Sequence, residues 1–419
     1  MINVEKGVVM IKFLHFADVH LDTVFLNRDS ELRSILRKAL RDTFKAGVDL
    51  ALASGCHAIL IGGDLFDNQT LSFMTEKFLL SEMERLARGE IQVFYATGNH
   101  DPSGSRSRIH QLRWPDNVHI FTTHTPESYP LVNQDGQVFA RIVGAGHENS
   151  RVGENLASRF PQVTAEQGVP HIALLHAMVT GSSDDTEHER YAPCTLQDLS
   201  EKGYSYWALG HIHKRAVLSE NPYVVYPGNL MGRNAQESGS KGAYLVEIDD
   251  YGQVKLSFHA LAPLCWLNLV LNNLEEADSL EKLEQLIVSL VEKHLQDHPV
   301  EGKLFLRLKL EGLCPMYREL AVPENLLTLE ENIRALLFVE YLELEHGGLI
   351  PPLCPEKYKQ GPHVLSEVLT LVEKAKNDDR ILLKLAPEDV AGLPSNVEPR
   401  EKAEYLQSLL RGLDYEAVA

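Results

Sequence analysis

Cysteine is scarce in this sequence. Cys56, Cys194, Cys265, Cys314 and Cys354 are scattered over 419 residues, odd in number and without a CxxC pair. That argues against a disulfide framework and a zinc knuckle, and a reducing, cytoplasmic location is expected. Long apolar runs are missing too. No stretch approaches the roughly 20 residues that a membrane helix needs, so no membrane contact is expected. Residues 1–9 lack the basic start, apolar centre and small-residue cleavage site of a signal peptide, and read as a short polar extension ahead of a strand. Internal repeats and low-complexity tracts are likewise absent. An excess of basic charge is lacking as well. The formal net charge is -19, whereas a nucleic-acid binder usually presents a basic face. The acidity is uneven, with about 28 acidic against about 16 basic side chains from Leu264 onward. The N-terminal part is only mildly acidic, and bound divalent cations would offset much of that.

What is present is a chain that is 44% hydrophobic, enough for a large core and too long for one typical domain. The N-terminal part alternates strands and helices. Ile11–Phe16, Ala58–Ile61 and Val93–Ala96 read as buried strands, and Leu32–Leu52 and Phe73–Leu86 as amphipathic helices. Further strands are expected at Ala140–Val143, Ile172–Leu175, Trp207–Leu209, Val224–Tyr226 and Tyr244–Ile248, and an exposed loop at Gly181–Arg190. The order suggests an α/β fold of two stacked mixed sheets with helices outside. A boundary falls near Leu261–Cys265. Beyond it, strands at Trp266–Leu271, Leu304–Leu310 and Val339–Leu344 alternate with helices at Leu280–His294 and around Ile333, a small α+β domain. The resulting division is 1–9, 10–262, 263–346, a Pro/Gly-rich linker 347–363 and a helical region 364–419.

The informative feature is what stands at the strand ends. Strand one ends in Asp18-Val19-His20, strand two in Gly62-Gly63-Asp64-Leu65-Phe66-Asp67, and strand three in Gly98-Asn99-His100-Asp101. The strand at Ile172–Leu175 ends in His176, and Trp207–Leu209 in Gly210-His211-Ile212-His213. Ligand crevices of α/β sheets lie outside the carboxyl ends of the strands. A set of carboxylate, imidazole and amide oxygen without thiolate suits manganese, iron or zinc. Asp64 has two carboxylate oxygens with which to bridge two ions, and such a pair can clamp a phosphate. Each piece alone is weak, since DxH is common and a lone His is more often structural. The ordered series is not.

This series resembles the motif set of the calcineurin-like metallophosphoesterases, over roughly the first 260 residues. The spellings FADVHLD, GGDLFDN and GNHD are closer to the double-strand-break repair nuclease branch that includes SbcD. Tyr226-Pro227-Gly228-Asn229 is similar to a loop of its YhaO-type bacterial DNA exonucleases. The resemblance implies that Asp18, His20 and His213 hold one metal, that Asn99, His176 and His211 hold the other, and that Asp64 bridges them. It implies two divalent ions, manganese first, with iron, zinc or magnesium as alternatives. It implies that a metal-activated hydroxide attacks the DNA phosphodiester. His100 would then stabilise the transition state or protonate the departing 3′ oxygen, with Asp67 orienting it. It further implies that the α+β domain caps the site and that the tail docks on an SbcC/YhaN-like coiled-coil ATPase. A homodimer is left open. Met231 and Asn234 stand where the relatives carry Gln and His.

The remaining groups have plainer readings. His15 and His171 read as structural, His57, His119, His124, His188 and His259 as surface, and His147 as a turn residue that could instead line the cleft. Arg33, Arg37, Lys38 and Arg41 read as a solvated helix face, with contact to a DNA backbone as the alternative. Arg106, Arg108, Lys214, Arg215 and Arg233 follow the metal motifs and are candidates for substrate phosphates. Asp101 reads as a brace for its turn. A small-substrate phosphodiesterase or phosphatase shares the same core motifs, and a non-catalytic scaffold is the third reading.

Overall fold

In β1 (Ile11–Phe16), alternate residues serve different layers. Ile11 and Phe13 enter one apolar cluster, and Leu14 and Phe16 another. The same alternation runs through β2 (Ala58–Ile61), β7 (His171–His176) and β8 (Tyr206–Gly210), so these strands are buried on both faces. Continuous apolar runs are what such strands require. The computed structural model describes residues 10–26, 28–67, 71–104, 107–164, 168–181, 191–249, 251–351, 364–386 and 398–409.

Two six-stranded sheets result. The first has the order β12 (Val254–Ala260), β11 (Gly242–Ile248), β1, β2, β3 (Gln92–Ala96) and β4 (Val118–Phe121). The second runs β5 (Glu127–Val132), β6 (Val138–Ala145), β7, β8, β10 (Tyr223–Tyr226) and β9 (Ala216–Glu220). β1 to β4 pair in parallel, as do β6, β7, β8 and β10, while β11, β12, β5 and β9 pair antiparallel to their neighbours. Phe13, Leu60 and Phe94 of the first sheet share one cluster with Ile172, Leu174, Tyr206 and Val225 of the second, so the sheets are stacked.

Helices cover the outer face of the first sheet. α1 (Ser30–Ala53) starts where the Asp29 side chain accepts the Leu32 N–H, and buries Leu36, Leu40, Phe44 and Val48 at helical spacing. α2 (Phe73–Arg88) is capped by Ser72 and buries Leu79, Met83 and Leu86. Each such side chain contributes roughly 1.5–3 kcal/mol by leaving water.

The chain divides into two compact units. One is the chain up to Asn268 with Asp297–Arg307 and Phe338–Leu342; the other is Leu269–Gln296, Leu308–Leu337 and the chain from Glu343. The boundary read at 262/263 is thus not a single cut. Leu264, Trp266 and Phe305 are buried in the core of the first unit, with Tyr341 packed against it. They begin the strands β13 (Leu264–Leu271), β14 (Lys303–Leu313) and β15 (Tyr341–Ile350), which form a three-stranded sheet in that order. α3 (Leu280–Asp297), α4 (Tyr317–Leu320) and α5 (Pro323–Leu336) lie between these strands in sequence. β15 runs on to Ile350, into the segment read as a linker, and 352–363 lies outside the described residues. Of the tail, Val364–Asn377, Asp379–Leu385 and Pro399–Leu409 are helical, and Ala375, Leu382 and Leu406 form a small cluster. Among the described residues no helix is long and apolar enough to cross a membrane.

Candidate metal centre

The turns that follow the central strands are forced. Left-handed backbone occurs at Asp18 (φ 50°), His20 (φ 52°), Gly63 (φ 95°), Asp64 (φ 50°) and His211 (φ 103°). Such conformations cost roughly 1–3 kcal/mol at a non-glycine residue and persist only where the surroundings over-determine them. Here the turns after β1 and β2 are laced together. Asp18 N donates to Gly63 O at 3.1 Å, His20 N to Asp64 O at 3.0 Å, and Leu21 N to Leu65 O at 3.0 Å. Two glycines permit the close approach. A Cβ on Gly63 would lie 2.3 Å from His176 Nδ1, and one on Gly98 2.2 Å from Asp64 Oδ1.

Two groups of donor atoms result. In one, His20 Nε2 and His213 Nε2 are 3.3 Å apart, and His213 Nε2 is 3.7 Å from Asp18 Oδ1. In the other, His176 Nε2 lies 2.8 Å from Asn99 Oδ1 and 3.4 Å from Asp64 Oδ2. Asp64 Oδ2 is also 4.0 Å from His20 Nε2, so a single oxygen stands between the groups. Oδ1 is taken by the backbone N–H of His100 at 2.8 Å. His211 is brought to the same place. Its N–H meets both Asp18 oxygens at 3.2 and 3.1 Å, and its ring centre lies 5.2 Å from that of His176.

The second nitrogen of each ring fixes which one is offered. His176 Nδ1 faces Gly62 O at 2.8 Å and His213 Nδ1 faces Glu237 Oε1 at 2.8 Å. Both acceptors demand an N–H, which leaves the Nε2 lone pairs turned inward. Burial lowers the pKa of His20, His213 and His176, the last to about 3, so the rings stay neutral. Burial and the nearby Asp64 carboxylate push Asp18 upward. Converging lone pairs and carboxylates repel one another unless cations lie among them. The donor set therefore fits divalent ions, and Asp18, His20 and His213 as well as Asp18, Asp64 and His176 are close enough to share one.

His100 and Asp67 stand beside these groups. His100 Nδ1 is 2.7 Å from Asp67 Oδ1, the His100 ring is exposed, and its centre is 4.8 Å from that of His20. The hydrogen bond to Asp67 raises the His100 pKa against the effect of burial. Burial pulls Asp67 upward, but His100 and His20 hold it below the usual carboxylate range.

The arginines divide. Arg233 lies within the site, 3.9 Å from Asp67 Oδ2 and 3.0 Å from Glu237 Oε1. Arg108 is engaged by Glu76 of α2 and, at 2.6 Å, by Gln111. Arg106 lies outside the described residues. Arg215 sits 3.6 Å over the Phe258 ring. His147 is buried behind His176, its Nε2 2.7 Å from the His176 carbonyl oxygen, and does not line a cleft. Asp101 accepts from Asp64 N at 3.3 Å and Gly98 N at 2.7 Å, as well as from Leu65 N and Tyr95 Oη. Glu237 is the functional residue that the sequence does not reveal. A lone glutamate in a polar loop carries no signal until the fold sets it behind His213.

Stacked mixed sheets that deliver Asp, Asn and His to one buried cluster define a metallophosphoesterase. Residues 11–215 match the family model described as calcineurin-like phosphoesterase. The chain is 34% identical over 348 residues to the uncharacterized metallophosphoesterase YhaO of Bacillus subtilis, covering 82% of this chain and 80% of that one. It is 23% identical over 317 residues to the DNA double-strand break repair protein Mre11 of Sulfolobus acidocaldarius, covering 74% and 77%. A solved dimetal phosphatase from Danio rerio gives TM-score 0.35 at 13% identity over 59% of this chain and 98% of that one, a likeness too loose to carry weight. The chain belongs to the calcineurin-like metallophosphoesterase family.

Proposed function

We propose that this chain is a two-metal DNA phosphodiesterase of the exonuclease kind, working in DNA end processing with an SbcC/YhaN-like ATPase. The observation that carries the reading is the position of Asp64 Oδ2 between two donor groups, with the exposed His100 beside them. Asp18, His20 and His213 would hold one ion, and Asn99, His176 and His211 the other, with Asp64 common to both. Manganese is the first choice for this donor set. When bound, the ions supply positive charge that polarises the phosphate and acidifies water. The chain's own residues do the rest. Asp67 fixes the His100 ring through Nδ1, and His100 delivers a proton from Nε2 to the departing 3′ oxygen. Arg233, which among the described candidate arginines lies beside the donor groups, would meet a phosphate oxygen.

DNA is favoured over a small substrate by the Mre11 relatives, which are named for double-strand break repair. The match to one of them spans 74% of the chain, well past residue 215. A second unit is also more than a small-molecule enzyme requires. The net charge of -19 favours the rival, an enzyme for small phosphodiesters. Digestion of end-labelled linear duplex DNA with manganese, beside bis-p-nitrophenyl phosphate, separates the two. Release of nucleotides by the native chain but not by Asp64→Ala is expected. Turnover of the small diester with DNA left intact, with and without the ATPase, would favour the rival.

A further inference from the structure

An open groove of about 710 Å³ lies against the candidate site, and Asp67, the partner of His100, forms part of its wall. Its most distinctive lining comes from α1. Arg33, Arg37 and Arg41 all face it, four residues apart along one side of the helix. Each step of four advances about 6 Å along the helix axis, comparable to the spacing of successive phosphates in an extended nucleic-acid strand.

Several basic side chains of the same unit are ion-paired. In this acidic chain Arg85 is paired with Asp49 and Glu82, Arg108 with Glu76, Arg159 with Glu154, and Lys38 with Asp42. Among the described residues Arg33, Arg37 and Arg41 have no carboxylate partner. Arg33 Nε reaches only the Asp29 carbonyl oxygen at 3.3 Å, and Arg37 Nε the Thr23 carbonyl oxygen at 3.1 Å. Two carboxylates, Asp22 and Asp67, share the groove wall, but neither is bonded to these arginines. The Asp22 carboxylate is consumed in holding the start of α2, accepting from Ser72 N at 2.6 Å and Thr75 Oγ1 at 2.6 Å. Asp67 is consumed by His100. Three guanidinium groups against two carboxylates give the lining a positive balance in a chain with 59 acidic side chains. The start of α2, at Ser72, adds the positive end of a helix dipole to the same wall.

We propose that this groove is the path of the substrate strand. On this assignment the phosphodiester backbone beyond the scissile bond runs along α1, its phosphates paired in turn with Arg33, Arg37 and Arg41. The side chains of Val24 and Met74, exposed and lining the groove, offer apolar surface to sugars and bases. The inference rests on the phosphodiesterase reading above and sharpens it. The substrate is a polynucleotide strand, single at the point of cleavage, and not a compact diester. For Arg33, Arg37 and Arg41 this assignment takes the backbone-contact reading over the solvated face; Lys38, ion-paired to Asp42 and exposed, stays a solvated residue.

The test is kcat/KM of the full chain with manganese on single-stranded oligonucleotides of increasing length, and on bis-p-nitrophenyl phosphate. The triple variant Arg33→Ala, Arg37→Ala, Arg41→Ala runs alongside, together with its Arg→Lys counterpart. For the native chain kcat/KM should rise with length until the groove is filled. In the alanine variant the ratio of long-oligonucleotide to small-diester kcat/KM should fall at least tenfold, and the dependence on length should flatten. The slope of log kcat/KM against log salt should shrink by about 2, since each phosphate left unneutralised takes roughly 0.7 from it. The lysine variant should keep most of the native ratio. The proposal is overturned if the alanine variant leaves the ratio unchanged, if both substrates fall together, or if lysine fares no better than alanine. Failure of the parent reading looks different: the native chain then turns over the small diester and leaves every oligonucleotide intact, which overturns both.

Discussion

His176 and His213 each offer Nε2 to the candidate site, and each is held from behind by a different kind of partner. Behind His176 the partners are backbone: the Gly62 carbonyl at 2.8 Å, and a Gly63 with no room for a Cβ. The neighbouring His147 adds to this by bonding the carbonyl of His176 itself. Behind His213 the partner is charge. Glu237 takes the Nδ1 proton and is itself held by Arg233 at 3.0 Å and Asn229 at 2.8 Å. A half built on close backbone approach should fail when volume is added. A half built on ion pairing should fail when charge is removed. The two halves meet at Asp64.

The largest effect is therefore expected from Asp64→Ala, which removes the carboxylate oxygen that stands between the two halves. Bound manganese, measured by elemental analysis after desalting, should fall from about two ions per chain to one or none. A metal contribution of several kcal/mol corresponds to a loss of roughly 10³-fold in turnover. The metal-free variant should melt no lower than the metal-free native chain, because Asp18 and Asp64 repel when no cation separates them. Two ions retained would remove the bridge and the comparison with it.

Next comes Gly63→Ala, directed at the backbone-braced half. The new Cβ would meet His176 Nδ1 at 2.3 Å, and the φ of 95° is itself unfavourable for an L side chain. A cost of roughly 1–3 kcal/mol is expected, read as a lowered melting temperature, with loss of one bound ion while the other remains. Native stability with both ions bound would show that His176 can move aside, and that the backbone does not fix it.

How much of this is legible in the sequence follows from where each residue sits. The central strands are legible because burial on both faces forces an unbroken apolar run: Ile11–Phe16 and Ala58–Ile61 match to the residue. The four strands without a clear signal, β4, β5, β9 and β12, are the four edges of the two sheets. An edge strand faces water and tolerates polar residues or even Pro130, so its pattern is diluted. The donor residues are legible for a related reason. They follow directly on the legible strands, in short turns whose glycines mark tight bends. The supports are not. Glu237 lies eight residues past Asn229 in a loop, and Arg33, Arg37 and Arg41 differ from Lys38 only in what surrounds them once α1 is placed. Pairing between distant residues is decided by tertiary structure, and no local pattern encodes it.

His100 extends the comparison, since Asp67 stands behind it as Glu237 stands behind His213. Asp67→Asn keeps an acceptor for Nδ1–H but loses the charge that favours the protonated ring. Both ions should remain, and kcat should fall about 10²-fold, the low end for loss of general acid catalysis. The KM for the small diester should move little. A loss of metal with this substitution would place Asp67 among the ligands, as its 3.7 Å approach to His20 Nδ1 would allow.

The finest test of the contrast is Glu237→Gln. Glutamine has the shape of glutamate and can still accept from His213 Nδ1, so the ring should stay in place. What goes is the negative charge that makes His213 a better donor and balances Arg233, whose remaining carboxylate neighbour at 3.9 Å is Asp67. Loss of such a partner weakens metal binding by roughly 10–100-fold in general, and the lower end is expected here because the hydrogen bond survives. Calorimetric titration of manganese into the metal-free chain reads this directly. The weaker of two sites should lose about tenfold in affinity, the other should hold, and the melting temperature should change little. An unchanged titration would mean that a neutral acceptor serves His213 as well as Gly62 serves His176. The charge around Glu237 would then be there for Arg233, holding it ready beside Asp67, and not for the metal.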